Sequence, residues 1–181
     1  MTFQESVRYI TSMLQDVLSN NDLAQIEEII DYLLNADKIF VYGVGRSGHV
    51  GKGFAMRLVQ LGLKAYFIGE TITPIVESGD AAVIISNTGE TMSAIQTGNI
   101  VRRVGAKVIV VTSDEKSKLA HLANIVVYIP IKDEDRKKDL APLGTLFEDS
   151  SMIFLDGVIS ELMVKLGETE ESMRGRHAIM V

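Results

Sequence analysis

The sequence predicts a single-domain α/β protein, a three-layer α/β/α sandwich whose middle layer is an open parallel sheet of five strands. Three observations carry that expectation. Short β-branched runs at residues 39–42, 65–68, 82–85, 108–111 and 125–129 lack polar alternation, the pattern of strands covered on both faces. Longer segments of helical period separate them, as crossovers between parallel strands require. A strand, a small-residue loop and a helix recur at 39–61 and again at 83–104. Two loops of like design would then sit at the carboxyl edge of one sheet, where open α/β proteins bind ligands.

The elements follow in order. Val7, Ile10, Met13, Leu14, Val17 and Leu18 recur at helical spacing, and Ile26, Ile29, Ile30, Leu33 and Leu34 repeat the pattern. The chain therefore opens on a helical segment, 1–36, made of two amphipathic helices. Between them Ser19-Asn20-Asn21-Asp22 reads as a turn and N-cap. After the strand region the polar stretch 132–139 reads as an exposed loop. A last helix is expected over 145–166, with Leu146, Phe147, Ile153, Phe154, Val158, Ile159, Leu162 and Val164 as its apolar set. A polar tail then carries Arg174-Gly175-Arg176-His177, and a tail in that position is expected to be flexible.

Composition narrows the function. With 181 residues, 46% of them hydrophobic, the chain fills one core and is short for two, so 1–181 is read as one domain. The 18 Lys and Arg against 24 Asp and Glu give a net charge of −6, which leaves no broad basic surface for nucleic acid. Any anion site must be local. There is no Cys and there are only three His, so neither a disulfide, a thiolate zinc site nor a dedicated metal cage is expected. No secretory signal pattern is present and no apolar run is long enough to span a bilayer. The expectation is a soluble, cytoplasmic protein with no membrane partner.

The first of the two loops, Gly43-Val44-Gly45-Arg46-Ser47-Gly48, follows a strand and opens a helix with G-x-G-x-x-G spacing. Glycines permit a tight turn and close approach to an anion, and the helix N-terminus offers free N–H groups. Glu70 lies about 20 residues onward, where a dinucleotide fold would place its ribose-binding acid. On this loop alone, a dinucleotide, a phosphate-bearing metabolite and a plain tight turn all remain open. The second loop, Ser86-Asn87-Thr88-Gly89-Glu90-Thr91 with Ser93 following, favours phosphate. Hydroxyls and N–H groups together can surround phosphate oxygens with little positive charge. Ordinary helix capping needs one such residue, and this loop has several.

Together the loops resemble the sugar isomerase (SIS) domain family of phosphosugar-binding α/β modules, over nearly the whole chain. Within that family the closest match is to the branch that interconverts D-arabino-3-hexulose 6-phosphate and D-fructose 6-phosphate. The match is carried by Gly43 to Gly48, by Phe54-Ala55-Met56-Arg57-Leu58 and Leu61-Gly62, and by Gly69-Glu70-Thr71 with Thr73-Pro74. Pro142-Leu143-Gly144-Thr145-Leu146-Phe147-Glu148 and Arg176-His177 extend it, with Leu143 in place of Met and Asn87-Thr88 in place of Gly-Ser. The resemblance implies strand order 2-1-3-4-5 and an isomerisation through a cis-enediol(ate) in the ribulose monophosphate route. It also implies no redox cofactor, no metal, and a homotetramer, and leaves open whether its active sites are shared between subunits. A non-catalytic phosphosugar-sensing module of the same fold is the alternative.

Moving a ketone from C3 to C2 needs one base to take the C2 proton and return it to C3. Glu148 by itself reads as a first-turn acid complementing a helix dipole. Its place in the Gly-Thr-Leu-Phe-Glu segment makes it the expected base, with Glu90 the rival. The expected substrate-binding set is Gly45, Arg46, Ser47, Ser86, Asn87, Thr88, Gly89, Glu90 and Thr91, with Ser47, Ser86, Thr88 and Thr91 converging on one phosphate. Arg46 or a backbone N–H would stabilise the enediolate oxygen. His177 is expected to open the fructose ring when the reaction runs backwards. His49, after the first loop, could touch substrate but reads more readily as a partly exposed helix position; His121 reads as structural, and Lys52 and Arg57 as helix-solvating or interface cations.

Overall fold

A computed structural model of the chain describes residues 2–19, 22–132 and 135–179. Two helices, α1 (Thr2–Leu18) and α2 (Leu23–Leu34), come first. Asp22 caps α2 by accepting a hydrogen bond from the Ala24 N–H at 2.9 Å, as its position before the apolar repeat predicts. Asn20 and Asn21 of the expected turn lie outside the described residues. There follow β1 (Ile39–Gly43), α3 (Gly45–Gln60), β2 (Ala65–Phe67), β3 (Ala81–Ile85), α4 (Met92–Arg103), β4 (Lys107–Thr112) and β5 (Ile125–Tyr128). All pairings are parallel, in the order β2-β1-β3-β4-β5.

The strands are apolar without alternation because both faces are covered. Ile39, Val41, Val83, Ile85, Ile109 and Val111 point to a layer that includes Ile30 and Leu33 of α2 and Phe54 and Leu58 of α3. Phe40, Ala82, Ile84, Val108 and Val110 point the other way, to Ala94 and Val101 of α4. Neighbouring residues of a strand face opposite sides, so this is the three-layer sandwich that the runs predict. Gly43 pairs with Ile85 at the carboxyl ends of β1 and β3. The two loops therefore leave the sheet side by side, where the strand order reverses.

The last part of the chain holds α5 (Lys137–Leu140), α6 (Thr145–Leu166) and α7 (Glu170–Gly175). The expected final helix has the bounds of α6, and Gly167, in the left-handed conformation at φ 67°, ends it. Two expectations need correction. The polar stretch 132–139 is not all loop, because α5 forms there to bury Leu140 against Tyr9 of α1. The tail is not free either: Thr169 and Ser172 form a capping box at α7, and Arg176 holds both the Gln60 carbonyl and the Glu168 carboxylate. No helix among the described residues is long and apolar enough to cross a membrane.

Candidate active site

Two glycines of the first loop, Gly43 and Gly48, serve packing, while Gly45 takes a left-handed backbone at φ 59°. A Cβ on Gly43 would lie 2.8 Å from the Ser47 carbonyl, and one on Gly48 would lie 2.7 Å from the Gly43 oxygen. Strand end and first helical turn thus touch backbone to backbone, a contact no other residue permits. No side chain caps the N-terminus of α3. Arg46 points to solvent while Ser47 is buried.

In the second loop Ser86 is buried, and its hydroxyl donates to the Thr91 hydroxyl at 3.3 Å. The Asn87 carbonyl accepts from the Thr112 and Ser113 hydroxyls at 3.0 and 2.9 Å, which fixes the loop to the end of β4. Gly89 has φ 62°, and the Ser117 side chain fills the space where a Cβ would go. The Thr88 hydroxyl accepts from the Glu90 N–H at 3.3 Å. Thr91 occupies the N-cap of α4 without a side-chain cap bond. Glu90 turns aside from the loop: its carboxylate accepts from Lys118 Nζ at 2.7 Å and from the Lys118 N–H at 2.9 Å. Those bonds hold its pKa below the ordinary carboxylate value, which weakens the rival base.

Glu148 differs in every respect. It sits in the first turn of α6 and is only 8% exposed. The carboxylate folds back into the space that a Cβ at Gly144 would occupy. The Ser47 hydroxyl donates to Oε1 at 3.5 Å, and Arg46 Nε lies 3.5 Å from Oε2. Oε2 accepts no hydrogen bond among the described residues. Burial pushes the pKa of Glu148 up; Arg46 and the Ser47 bond pull it down, and the Asp149 charge adds to the rise. A buried carboxylate with raised basicity thus stands against the first loop beside a guanidinium. Arg46 also lies 3.5 Å from Asp149 Oδ1, so it bridges two acids.

The expected site residues therefore separate into three groups. Ser86, Asn87, Thr88, Gly89 and Thr91 form one loop, while Gly45, Arg46 and Ser47 stand with Glu148. Ser47 turns its hydroxyl to the carboxylate rather than to the Ser86–Thr91 pair. His177 joins neither group within one chain. It is exposed and lines a cavity of 460 Å³ with Arg57, Gln60 and Met163. Arg176 fixes this segment to Gln60 at the end of α3, about 20 Å of helix from Ser47 at its start. His121 is structural, its Nδ1 2.8 Å from the Ser117 carbonyl oxygen, and Lys52 lies over the Phe67 ring. Asp149 and Lys118 were missed by sequence reasoning. Asp149 adjoins Glu148 in the chain and was open to notice; Lys118 pairs with Glu90 across 28 residues and was not.

The SIS domain family model matches residues 32–153, a stretch that contains both loops and Glu148 but not His177. The 3-hexulose-6-phosphate isomerase of Methanocaldococcus jannaschii is 36% identical over 174 residues, covering 90% of this chain and 94% of that protein. The 3-hexulose-6-phosphate isomerase of Bacillus subtilis is 33% identical over 183 residues, covering 96% and 98%. A crystal structure from Methanococcus jannaschii, for which a 3-hexulose-6-phosphate isomerase function is inferred, superimposes with a TM-score of 0.86 at 32% identity, covering 98% of each chain.

Proposed function

Because the chain belongs to the SIS domain family and is a sugar-phosphate isomerase, we propose that it interconverts D-arabino-3-hexulose 6-phosphate and D-fructose 6-phosphate, with Glu148 as the proton carrier. The observation that carries this reading is the buried carboxylate held against the first loop, with the hydroxyl-rich loop leaving the neighbouring strand. The substrate phosphate lies on Ser86, Thr88, Thr91 and the free N–H groups at the start of α4. Glu148 takes the proton from C2, the electron pair forms the C2–C3 double bond of a cis-enediolate, and Glu148, open to exchange with solvent at this stage, returns a proton to C3 as the ketone forms at C2. A proton passes between O2 and O3 to complete the exchange. Arg46 stabilises the enediolate oxygen, and burial keeps Glu148 from being levelled by water.

The unit that acts is the whole of 1–181, with the helical segment 1–36 laid on the same core, working in the cytoplasm as a step of the ribulose monophosphate route without metal or redox cofactor. Phosphate on O6 keeps the 3-hexulose open, so the forward reaction needs no ring opening. Fructose 6-phosphate cyclises, and His177 opens its ring. Because His177 stands far from Glu148 in its own chain, it acts from a neighbouring subunit of a homotetramer. A sensing module has no use for a buried, unsatisfied carboxylate, which favours catalysis over the regulatory alternative. The test is to supply 3-hexulose 6-phosphate with no added cofactor and follow fructose 6-phosphate. Formation proportional to enzyme is expected; binding without conversion would leave only the sensing module.

A further inference from the structure

The loop at 86–91 carries one charged residue, and it is an acid: Glu90, between Gly89 and Thr91. A phosphate held on Ser86, Thr88 and Thr91 is itself an anion, so a bare carboxylate in the same loop would oppose it. The hydroxyls and N–H groups of the loop have no net charge to set against that repulsion. Arg46 is engaged elsewhere, with Glu148 and Asp149 at the first loop. Some other group must neutralise Glu90.

Lys118 is placed to do so. Its ammonium lies 2.7 Å from Oε2 of Glu90 and its own backbone N–H donates to Oε1 at 2.9 Å, so one residue holds both carboxylate oxygens. The segment that bears it is laced to the loop on both sides of Lys118. The Leu119 N–H donates to the Gly89 carbonyl at 3.1 Å, the Ser117 side chain fills the space in front of Gly89, and the Ser113 N–H donates to the Asn87 carbonyl at 2.9 Å. The lysine therefore stands at a fixed place beside the loop. Stability is a weak reason for the pair, because its two side chains are 72% and 44% exposed and an ion pair so exposed contributes little to folding. Its charge acts more strongly on an anion bound next to it.

We propose that Lys118 is a positioning residue for the phosphate site: it draws the Glu90 carboxylate aside and cancels its charge, so that the hydroxyl loop accepts an anion. The proposal rests on the reading of 86–91 as the phosphate loop. The arrangement also lets charge be separated from architecture. Lys118→Met removes the ammonium and keeps the backbone N–H on Oε1, so Glu90 stays tethered and becomes an uncompensated charge. Lys116 is exposed in the same turn and has no ion pair among the described residues, so Lys116→Met removes the same net charge without unmasking Glu90.

The test is titration calorimetry at low ionic strength with glucitol 6-phosphate, an open-chain sugar phosphate that has no carbonyl to isomerise. Lys118→Met is expected to weaken binding about three- to tenfold, the effect of one unmasked charge on a phosphate several ångströms away in partly hydrated protein. Raising the salt to about 0.5 M should shrink the difference. Lys116→Met should bind as wild type does, and Glu90→Gln no more weakly. Lys118→Met combined with Glu90→Gln should regain wild-type affinity, because no carboxylate is left to mask. Wild-type affinity in Lys118→Met overturns the proposal. So does a double variant as weak as Lys118→Met, since the lysine would then meet the phosphate itself or merely hold the loop. Equal weakening in Lys116→Met overturns it as well, by reducing the effect to net charge. Ser86→Ala with Thr91→Ala separates the underlying reading: if that variant binds as wild type does, the phosphate lies elsewhere and both fall, whereas weak binding there beside a normal Lys118→Met removes the proposal alone.

Discussion

Glu148, the proposed base, owes its raised pKa to what surrounds it, and free carboxylates are poor proton acceptors. Burial raises its pKa, and Ser47 and Arg46 limit the rise. Glu148→Gln keeps the size and the reach while removing the basicity. Turnover is expected to fall by on the order of 10² to 10⁴ with KM nearly constant, and solvent deuterium should no longer enter C3 of fructose 6-phosphate. Near-normal turnover in this variant, with loss in Glu90→Gln, would transfer the role to Glu90. A base must be ionised, so kcat/KM should fall as pH drops through a value above the usual carboxylate range. Asp149→Asn removes a negative neighbour that raises that value and frees Arg46 to approach Glu148. Both effects lower the pKa, and the acid limb of the pH profile should move to lower pH. An unmoved limb would show that a group other than Glu148 titrates.

At the scale of elements, β3 and α4 are joined by a loop whose polar side chains mostly bond to each other and to β4. Ser113 and Thr112 hold Asn87, Ser117 packs under Gly89, and Lys118 draws Glu90 outward. What is left facing the sheet edge is the Ser86–Thr91 pair beside an uncapped helix N-terminus. Hydrogen bonds to a charged group contribute about 1.5–3 kcal/mol each. Ser86→Ala with Thr91→Ala should therefore raise KM at least tenfold, by the lower of those figures, with kcat changed far less. Unchanged affinity for the phosphosugar would place the phosphate elsewhere. The short connection Leu143-Gly144 supports the other side of the site. Leu143 is the one non-glycine among the described residues with positive φ, 57°, and it is 91% exposed. Left-handed backbone costs a leucine about 1–2 kcal/mol, and an asparagine tolerates it better. Leu143→Asn should thus stabilise the isolated chain by about 1 kcal/mol in denaturant unfolding; a loss would mean that Leu143 is packed against a neighbour.

For the whole molecule, the proposed site is complete only when a second chain supplies His177. The two directions of reaction then respond differently to its removal. Without ring opening by the enzyme, only the open-chain fructose 6-phosphate already in solution can react. In His177→Asn the rate of fructose 6-phosphate consumption should level off as enzyme concentration rises, capped by spontaneous opening. Formation from 3-hexulose 6-phosphate should stay proportional to enzyme. Proportionality in both directions would remove the ring-opening role from His177.

How much of this was legible beforehand follows the range of the interactions. The sheet was readable because a strand buried on both faces must be apolar at successive positions, as Ala82-Val83-Ile84-Ile85 is; α2 and α6 were readable because helical period and Asp22 or Gly167 at the ends are local features. Both loops were visible for the same reason, since glycine and hydroxyl residues mark a strand-to-helix turn wherever they stand. Which carboxylate becomes a base was not local. Glu148 meets Ser47 across 101 residues, and Glu90 meets a lysine 28 residues away that lowers its pKa. Nor could spacing show that His177 is tied to the far end of α3 by Arg176. Sequence by itself determined the layers and the loops, because periodicity and turn chemistry act between neighbours. Tertiary structure decided the desolvation and the charge partners of Glu148, because those depend on what topology brings together in space.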